Sequence, residues 1–259
     1  MGNCIYCGQK VGLFKSVHPE CQEKRNIGLD NITYLLPSWF KNERELSTIL
    51  QEANNIASTS FIKDNEIKEK LLKGLDILVN SFFDDGIITE EEENYYDEAT
   101  KALKLTNEEL SNSSTNLKIV KGSILRDLTN GEIVSRINVD GNIPIVLGKD
   151  EIILWVFNSV ELLEMKTIRT YVGGTVGTSV RIAKGLYLRT SSFKGNPIEH
   201  EEMVSKGCGS LIITSKNLFF YGAKTLKIGY KKFLSLSPYS DGFGFQKDTT
   251  TSKPQAFKV

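Results

Sequence analysis

At 259 residues and zero formal net charge, with 40% apolar and 25% charged side chains and six prolines, the chain has room for one large domain or two to three small ones. No run reaches the roughly 18 apolar residues that a membrane span needs, and no apolar signal core follows a basic start, so the expectation is a cytoplasmic protein. The neutral total averages unlike parts: residues 41–110 carry 17 acidic and 8 basic side chains, whereas residues 160–259 carry 7 and 15. Three readings stand: the two parts dock on each other, the basic part meets an anionic surface, or the asymmetry carries no function.

The chain opens MGNCIYCGQKVGLFKSVHPEC. Cys4 and Cys7 have two residues between them, and after ten more His18 and Cys21 repeat that spacing. Zn²⁺ takes four soft or borderline ligands in a tetrahedron, and a C-x-x-C turn delivers two thiolates from one tight loop whose N–H groups stabilise the sulfur charge. Gly8, directly after Cys7, lets that turn complete. Two such pairs make a closed Cys₃His set with no place for water, which argues for structural Zn²⁺ and against hydrolysis. The competing readings are a disulfide, which fits poorly with three clustered cysteines and a remote Cys208, and a redox pair, which needs a following long helix in a strand-rich domain. CIYCGQKVGLF followed by HPEC resembles the small zinc knuckles that begin many bacterial proteins and, distantly, half of a LIM or treble-clef finger. That resemblance, over about 25 residues, implies the metal and leaves protein, nucleic-acid and purely structural roles open. Lys10, Lys15, Lys24 and Arg25 are balanced by Glu20, Glu23 and Asp30, which speaks against a nucleic-acid footprint.

NITYLLPSWF, residues 31–40, is apolar and broken by Pro37, and reads as a linker that packs on something. Over 41–112 the period becomes helical. Leu46, Leu50, Ala53 and Ile56 form one stripe, and Ile67, Leu71, Leu75, Leu78 and Phe82 a second. Thr89 with Glu92, and Thr106 with Glu109, read as capping boxes. The DDG at 84–86 fails as a calcium loop because the third ligand position would be Phe83, which has no oxygen to offer. This turn resembles those of short bacterial helical modules, including tellurite-resistance-type domains.

From about Lys118 the period falls toward 2, and the region 117–259 reads as β-rich. The NG at 130–131 and DG at 140–141 suggest hairpins. EIILWVFNSVELLEM reads as a central strand, with a buried helix as the alternative, and VRIAKGLYLRTSSF as a further strand. TYVGGTVGTSVRI lacks both a phosphate-loop and a dinucleotide fingerprint, and reads as a hairpin. Residues 209–243 then give G-x-L-x-I-T, N-L-F-F, K-F-L-S-L and Y-S-D-G-F. These runs resemble the bacterial PH-like and GRAM-like family, over about 178–259, which implies a small barrel or curled antiparallel sheet. The chain ends on a strand-like KPQAFKV where PH-like folds place a helix, so a closing helix would have to come from elsewhere, with 197–206 as one source. Lys224, Lys227, Lys231 and Lys232 are the nearest thing to an anion or lipid contact.

No catalytic set is assembled. His200 stands in an acidic run, and Cys208 reads as a buried apolar thiol. The expectation is an α+β bacterial or phage-type protein: a zinc knuckle over 1–30, an acidic helical module over 41–112, and a β-rich region over 117–259 that includes a PH-like barrel or curled sheet. Its expected role is non-catalytic, an interaction or scaffold protein that recognises another protein. The alternatives are a peripheral binder of anionic membrane lipids and an enzyme with a site formed between modules. Nucleic acid is the disfavoured partner, and the sequence assigns no oligomeric state.

Overall fold

The computed structural model describes residues 2–12, 14–137, 144–183 and 186–259, with the backbone alone over 170–198. The chain divides into two units, Met1–Arg136 and Ile137–Val259. Its class is α+β, as the change of period implies.

In the first unit seven helices follow the N-terminal loop among the described residues: α1 (Pro19–Thr33), α2 (Leu35–Lys41), α3 (Ile49–Thr59), α4 (Asp64–Ser81), α5 (Glu90–Ala102), α6 (Asn107–Ser111) and α7 (Ser114–Thr129). The longest, α4, buries Ile67, Leu71, Leu75 and Leu78 along one stripe and packs on α1, α2, α3 and α7. Trp39, Ile49, Phe82, Ile88 and Tyr96 complete the core around it. Both capping boxes are present. The Thr89 hydroxyl accepts from the Glu92 N–H at 3.2 Å and the Glu92 carboxylate accepts from the Thr89 N–H at 2.8 Å, with the same pair of bonds at Thr106 and Glu109.

Two expectations for this unit are corrected. Residues 31–40 are helical, not a linker: α1 runs through Thr33 and α2 starts at Leu35. Pro37 sits in the first turn of α2, where its missing N–H would have had no intrahelical partner, and Leu35, Leu36 and Trp39 are buried. The β-rich region does not start at 117 either, because α7 covers Ser114–Thr129. Its buried stripe runs Thr115, Ile119, Gly122, Ser123, Arg126, Asp127, so polar groups occupy the helical period that apolar residues would have announced. Arg126 and Arg136 bracket Glu93 and Asp127, with contacts of 2.5 to 3.2 Å, so two positive charges meet two negative ones. The NG at 130–131 ends this helix instead of making a hairpin: Asn130 caps it and Gly131 takes a φ of +79°. The DG at 140–141 lies outside the described residues.

The second unit is a seven-stranded antiparallel sheet curled into a half-barrel. Its strands are β1 (Ile153–Ala183), β2 (Leu186–Thr214), β3 (Asn217–Gly222), β4 (Leu226–Gly229), β5 (Phe233–Tyr239), β6 (Gly242–Lys247) and β7 (Gln255–Lys258), in the order β4-β3-β2-β1-β7-β6-β5. Two meanders therefore meet where β1 pairs with β7, Glu161–Glu164 against Gln255–Lys258. Val160, Leu162, Leu211, Leu218, Phe220, Ile228, Phe245 and Phe257 form the core of the curl. β1 is central, as its apolar opening implies.

β1 and β2 also run on past the sheet. β7 pairs with β1 only as far as Glu164, and β3 meets β2 only from Gly209, so the two strands continue as a two-stranded ribbon as far as the pair Ala183 with Leu186. Gly173, Gly174 and Gly177 lie within β1, which corrects the hairpin expected there, and residues 197–206 belong to β2, not to a closing helix. A boundary at 178 would cut β1.

Candidate metal centre

The first 21 residues fold two short segments toward each other. Asn3 and Lys10 form an isolated antiparallel bridge, and the Gly8 N–H donates to the Cys4 carbonyl at 2.9 Å, closing the turn that carries Cys4 and Cys7. Gly8 has a φ of +73°, a conformation that a side chain at this position would resist. The other pair arrives on a helix. His18 is the N-cap of α1, Pro19 its first residue, and Cys21 lies in its first turn.

One ligand atom from each of Cys4, Cys7, His18 and Cys21 lies within 4.8 Å of all the others, a group that could hold a metal ion. Tetrahedral Zn²⁺ with bonds of about 2.0 to 2.3 Å has ligand–ligand edges of about 3.5 to 3.8 Å, so the group would have to draw in by no more than about 1 Å to close on an ion. The His18 Nδ1 stands 3.4 Å from Cys7 Sγ and 3.9 Å from Cys21 Sγ, while its Nε2 lies 3.0 Å from the Lys10 carbonyl. A carbonyl only accepts, so Nε2 carries the proton and the Nδ1 lone pair faces the sulfurs.

The thiols titrate apart. Burial pushes Cys4 up, but the N–H groups of Cys7, His18 and Tyr6 outweigh it and bring the thiol down to about 6. Burial and the facing thiols of Cys7 and Cys4 push Cys21 up to about 11. His18 is raised by its contact with Cys7 and by the Lys10 carbonyl. Three sulfurs this close cannot all ionise without a cation among them, and an ion that takes all three displaces the protons they hold.

A ring of contacts seats this loop on the helices. The Tyr6 ring stacks on Phe61 at 5.8 Å, and the Arg25 guanidinium lies over Tyr6 at 5.4 Å. Arg25 also donates to the Phe61 carbonyl at 2.8 Å and pairs with Glu66 at 2.5 Å. Glu66 in turn accepts from the Lys63 N–H at the start of α4, at 3.1 Å. Reading the sequence singled out Arg25 only as a surface charge and missed the other three. Nothing along the chain links Tyr6 to Phe61 before the fold brings them together.

The four expected lysines take up separate surroundings. Lys224 Nζ is 3.4 Å from Glu164, Lys227 lies over the Phe219 ring at 4.9 Å, and Lys231 and Lys232 sit in the one-turn segment before β5. Cys208 is exposed, which corrects the buried thiol expected there. His200 is exposed on β2 opposite Ile168. No helix among the described residues is long and apolar enough to cross a membrane. No family model, curated protein or solved structure matches this chain.

Proposed function

We propose that Cys4, Cys7, His18 and Cys21 bind a single Zn²⁺ as a structural ion, and that the protein acts without catalysis, as an interaction or scaffold protein for another protein. The observation that carries the metal reading is the convergence of four ligand atoms within 4.8 Å, with His18 held in the ligating tautomer by the Lys10 carbonyl. Four protein ligands fill a tetrahedral ion, so neither water nor substrate has a coordination place. The interaction reading is supported by what surrounds the site: Ile5 is 69% exposed and Phe14 fully so, apolar surface beside the ion that a partner would cover. The strand order, two meanders joined through the first and last strands, supports a PH-like reading of the sheet.

Metal analysis of reduced, purified protein tests the first claim, with one zinc per chain expected. Cobalt substitution should give the intense visible bands of a tetrahedral thiolate site. A ratio near zero would remove the metal reading, and a weak octahedral cobalt spectrum would indicate open positions and return catalysis to consideration. For the second claim, in-cell crosslinking should place a protein partner on Ile5 and Phe14, and the paired change Ile5→Ser with Phe14→Ser should abolish that crosslink while zinc content stays at one.

A further inference from the structure

In the first unit the last helix has its polarity reversed. Thr115, Ser123, Arg126 and Asp127 are buried on the inner side of α7, whereas Leu117, Lys121, Leu125 and Leu128, at spacings of four, four and three residues, form a line on its exposed side. Leu125 is 64% exposed. A helix that served only its own core would place its leucines the other way round.

Beside this line lies a groove of about 380 Å³ between α7 and the segment that follows α4, lined by Phe83, Ile87, Gly122 and Leu125 and by the lysines Lys118 and Lys121. Gly122 allows the two walls to meet: a Cβ there would lie 2.7 Å from Phe83 Cε1 and 2.9 Å from Ile88 Cγ2, so a larger residue would push the helix off that segment. Cross-contacts fix the direction of the groove. Thr115 donates to Asp76 at 3.1 Å, Lys118 donates to Asn80 at 2.6 Å, and Gly122 abuts Phe83, so the groove runs from Lys118 and Lys121 toward Leu125 and the turn 84–87. Lys118 lies 4.0 Å from Asp76 and stays half-exposed, and the turn at the far end carries the exposed Asp84 and Asp85.

One face thus holds a basic end, an apolar middle and an acidic end. A two-fold contact lays such a face on itself in reverse, so that each end meets its opposite, and this is the arrangement that requires a surface to be its own complement. We propose that this face is the interface of a homodimer, with the α7 helices of two copies antiparallel and Leu117 of each packed against Leu128 of the other. Leu125 and the stem of Lys121 then cross near the axis, and Lys118 and Lys121 of each copy face Asp84 and Asp85 of the other. The cores of homodimer contacts are apolar, as the middle of this face is. The charged ends select the antiparallel arrangement, because parallel helices would bring like charges together.

The test uses the full chain. Sedimentation equilibrium over a micromolar concentration series should show a reversible monomer–dimer equilibrium. Leu125→Glu should raise the dimer dissociation constant about tenfold or more, because it buries an unpaired charge near the axis, whereas Leu236→Glu, exposed on the edge strand β5, should change it less than about twofold. Charge reversal tests the register without touching the leucines. Asp84→Lys/Asp85→Lys and Lys118→Glu/Lys121→Glu should each be monomeric alone, and an equimolar mixture of the two should recover a heterodimer in which both ends are again opposite. Circular dichroism of each variant separates lost association from lost helix. A monomer at every concentration, a dimer that Leu125→Glu leaves intact, or reversed variants that fail to recover each other would overturn the proposal. In that event, crosslinks from a photoreactive residue at position 125 would name the real occupant, either residues 137–259 of the same chain or another protein in cells.

Discussion

The N-terminal loop and the helices it sits on are ordered by different means. Of the described residues 2–17, only Cys4 and Val11 are buried apolar side chains, whereas twenty buried side chains form the continuous core of the helical part. A loop this poor in burial cannot offset its own conformational entropy by the hydrophobic effect. On the metal reading proposed above, closure of Cys4, Cys7, His18 and Cys21 around an ion would replace the missing core, and the Tyr6, Arg25, Phe61 and Glu66 contacts join the loop to the helices.

The largest expected effect separates them. Cys7→Ser with Cys21→Ser, or chelation, should release amide protection over residues 2–17 to near-unfolded rates while α2–α7 change little, as read by hydrogen exchange. Structural zinc sites supply roughly 10 to 16 kcal/mol of apparent binding free energy at neutral pH, against about 1.5 to 3 kcal/mol for each fully buried apolar side chain. Persistent protection without metal would dissolve the distinction. Acid should draw the same line. Falling pH protonates the thiolates and expels the ion, whereas Glu66, held low chiefly by its bond from Arg25, and Asp127, held low chiefly by Arg136, stay charged. Both carboxylates have depressed folded values, so their contribution is complete above the ordinary carboxylate range of about 4 and is lost only as pH falls below it. Metal release and helix melting followed together should give two transitions, the metal first. A single merged transition would count against two sources of order.

The converse change strikes the core. Trp39 is 1% exposed between α2 and α4, and Trp39→Ala should cost about 3 to 5 kcal/mol in the denaturation of the helices. Zinc stoichiometry should stay at one, because none of the four ligands rests on that side chain.

These two parts also differed in how openly the sequence announced them. The convergence of Cys4, Cys7, His18 and Cys21 was readable, since it is set within 18 residues by one tight turn and one helix start, each of fixed spacing. α3, α4 and α5 were readable because apolar side chains mark the helical period or a capping box marks the start. α7 was not: Thr115, Ser123, Arg126 and Asp127 fill its inner stripe, and their partners Glu93 and Arg136 are supplied only by the fold. Pro37 hid α2 by standing where a breaker is tolerated. In the sheet, lysines close in sequence drew attention, yet Lys227 leaves for an aromatic face while Lys206 and Lys224 meet across a bulge. Strand register decides which charges are neighbours, and register is a property of the pairing, not of one strand.

Arg25 tests the joint itself. Its guanidinium is largely buried, and Arg25→Ala removes the bond to the Phe61 carbonyl, the pair with Glu66 and the cover over Tyr6. A loss of about 1 to 3 kcal/mol is expected, the usual cost of a buried partner left unpaired. Because the arginine serves both parts, this variant should weaken zinc retention as well as helix stability, unlike Trp39→Ala. If zinc affinity were unchanged, the loop and the helices would be neighbours without being coupled.

The smallest effect is the most local. Thr89→Ala removes the oxygen that accepts from the Glu92 N–H at 3.2 Å, but leaves the Glu92 carboxylate bonded to the residue 89 N–H. Half the box survives, so the cost should be about 1 kcal/mol, read as a small fall in denaturation midpoint, and Thr89→Ser should recover most of it. Glu90 to Glu93 crowd the same turn, where the helix dipole favours them and mutual repulsion does not, so added salt should change the size of the loss only modestly. Zinc affinity should not move at all. The cap belongs to the apolar part and touches none of the residues that seat the loop. A measurable fall in zinc affinity from this one hydroxyl would mean that helices and loop melt as one cooperative body, with the ion and the core as parts of a single source of order.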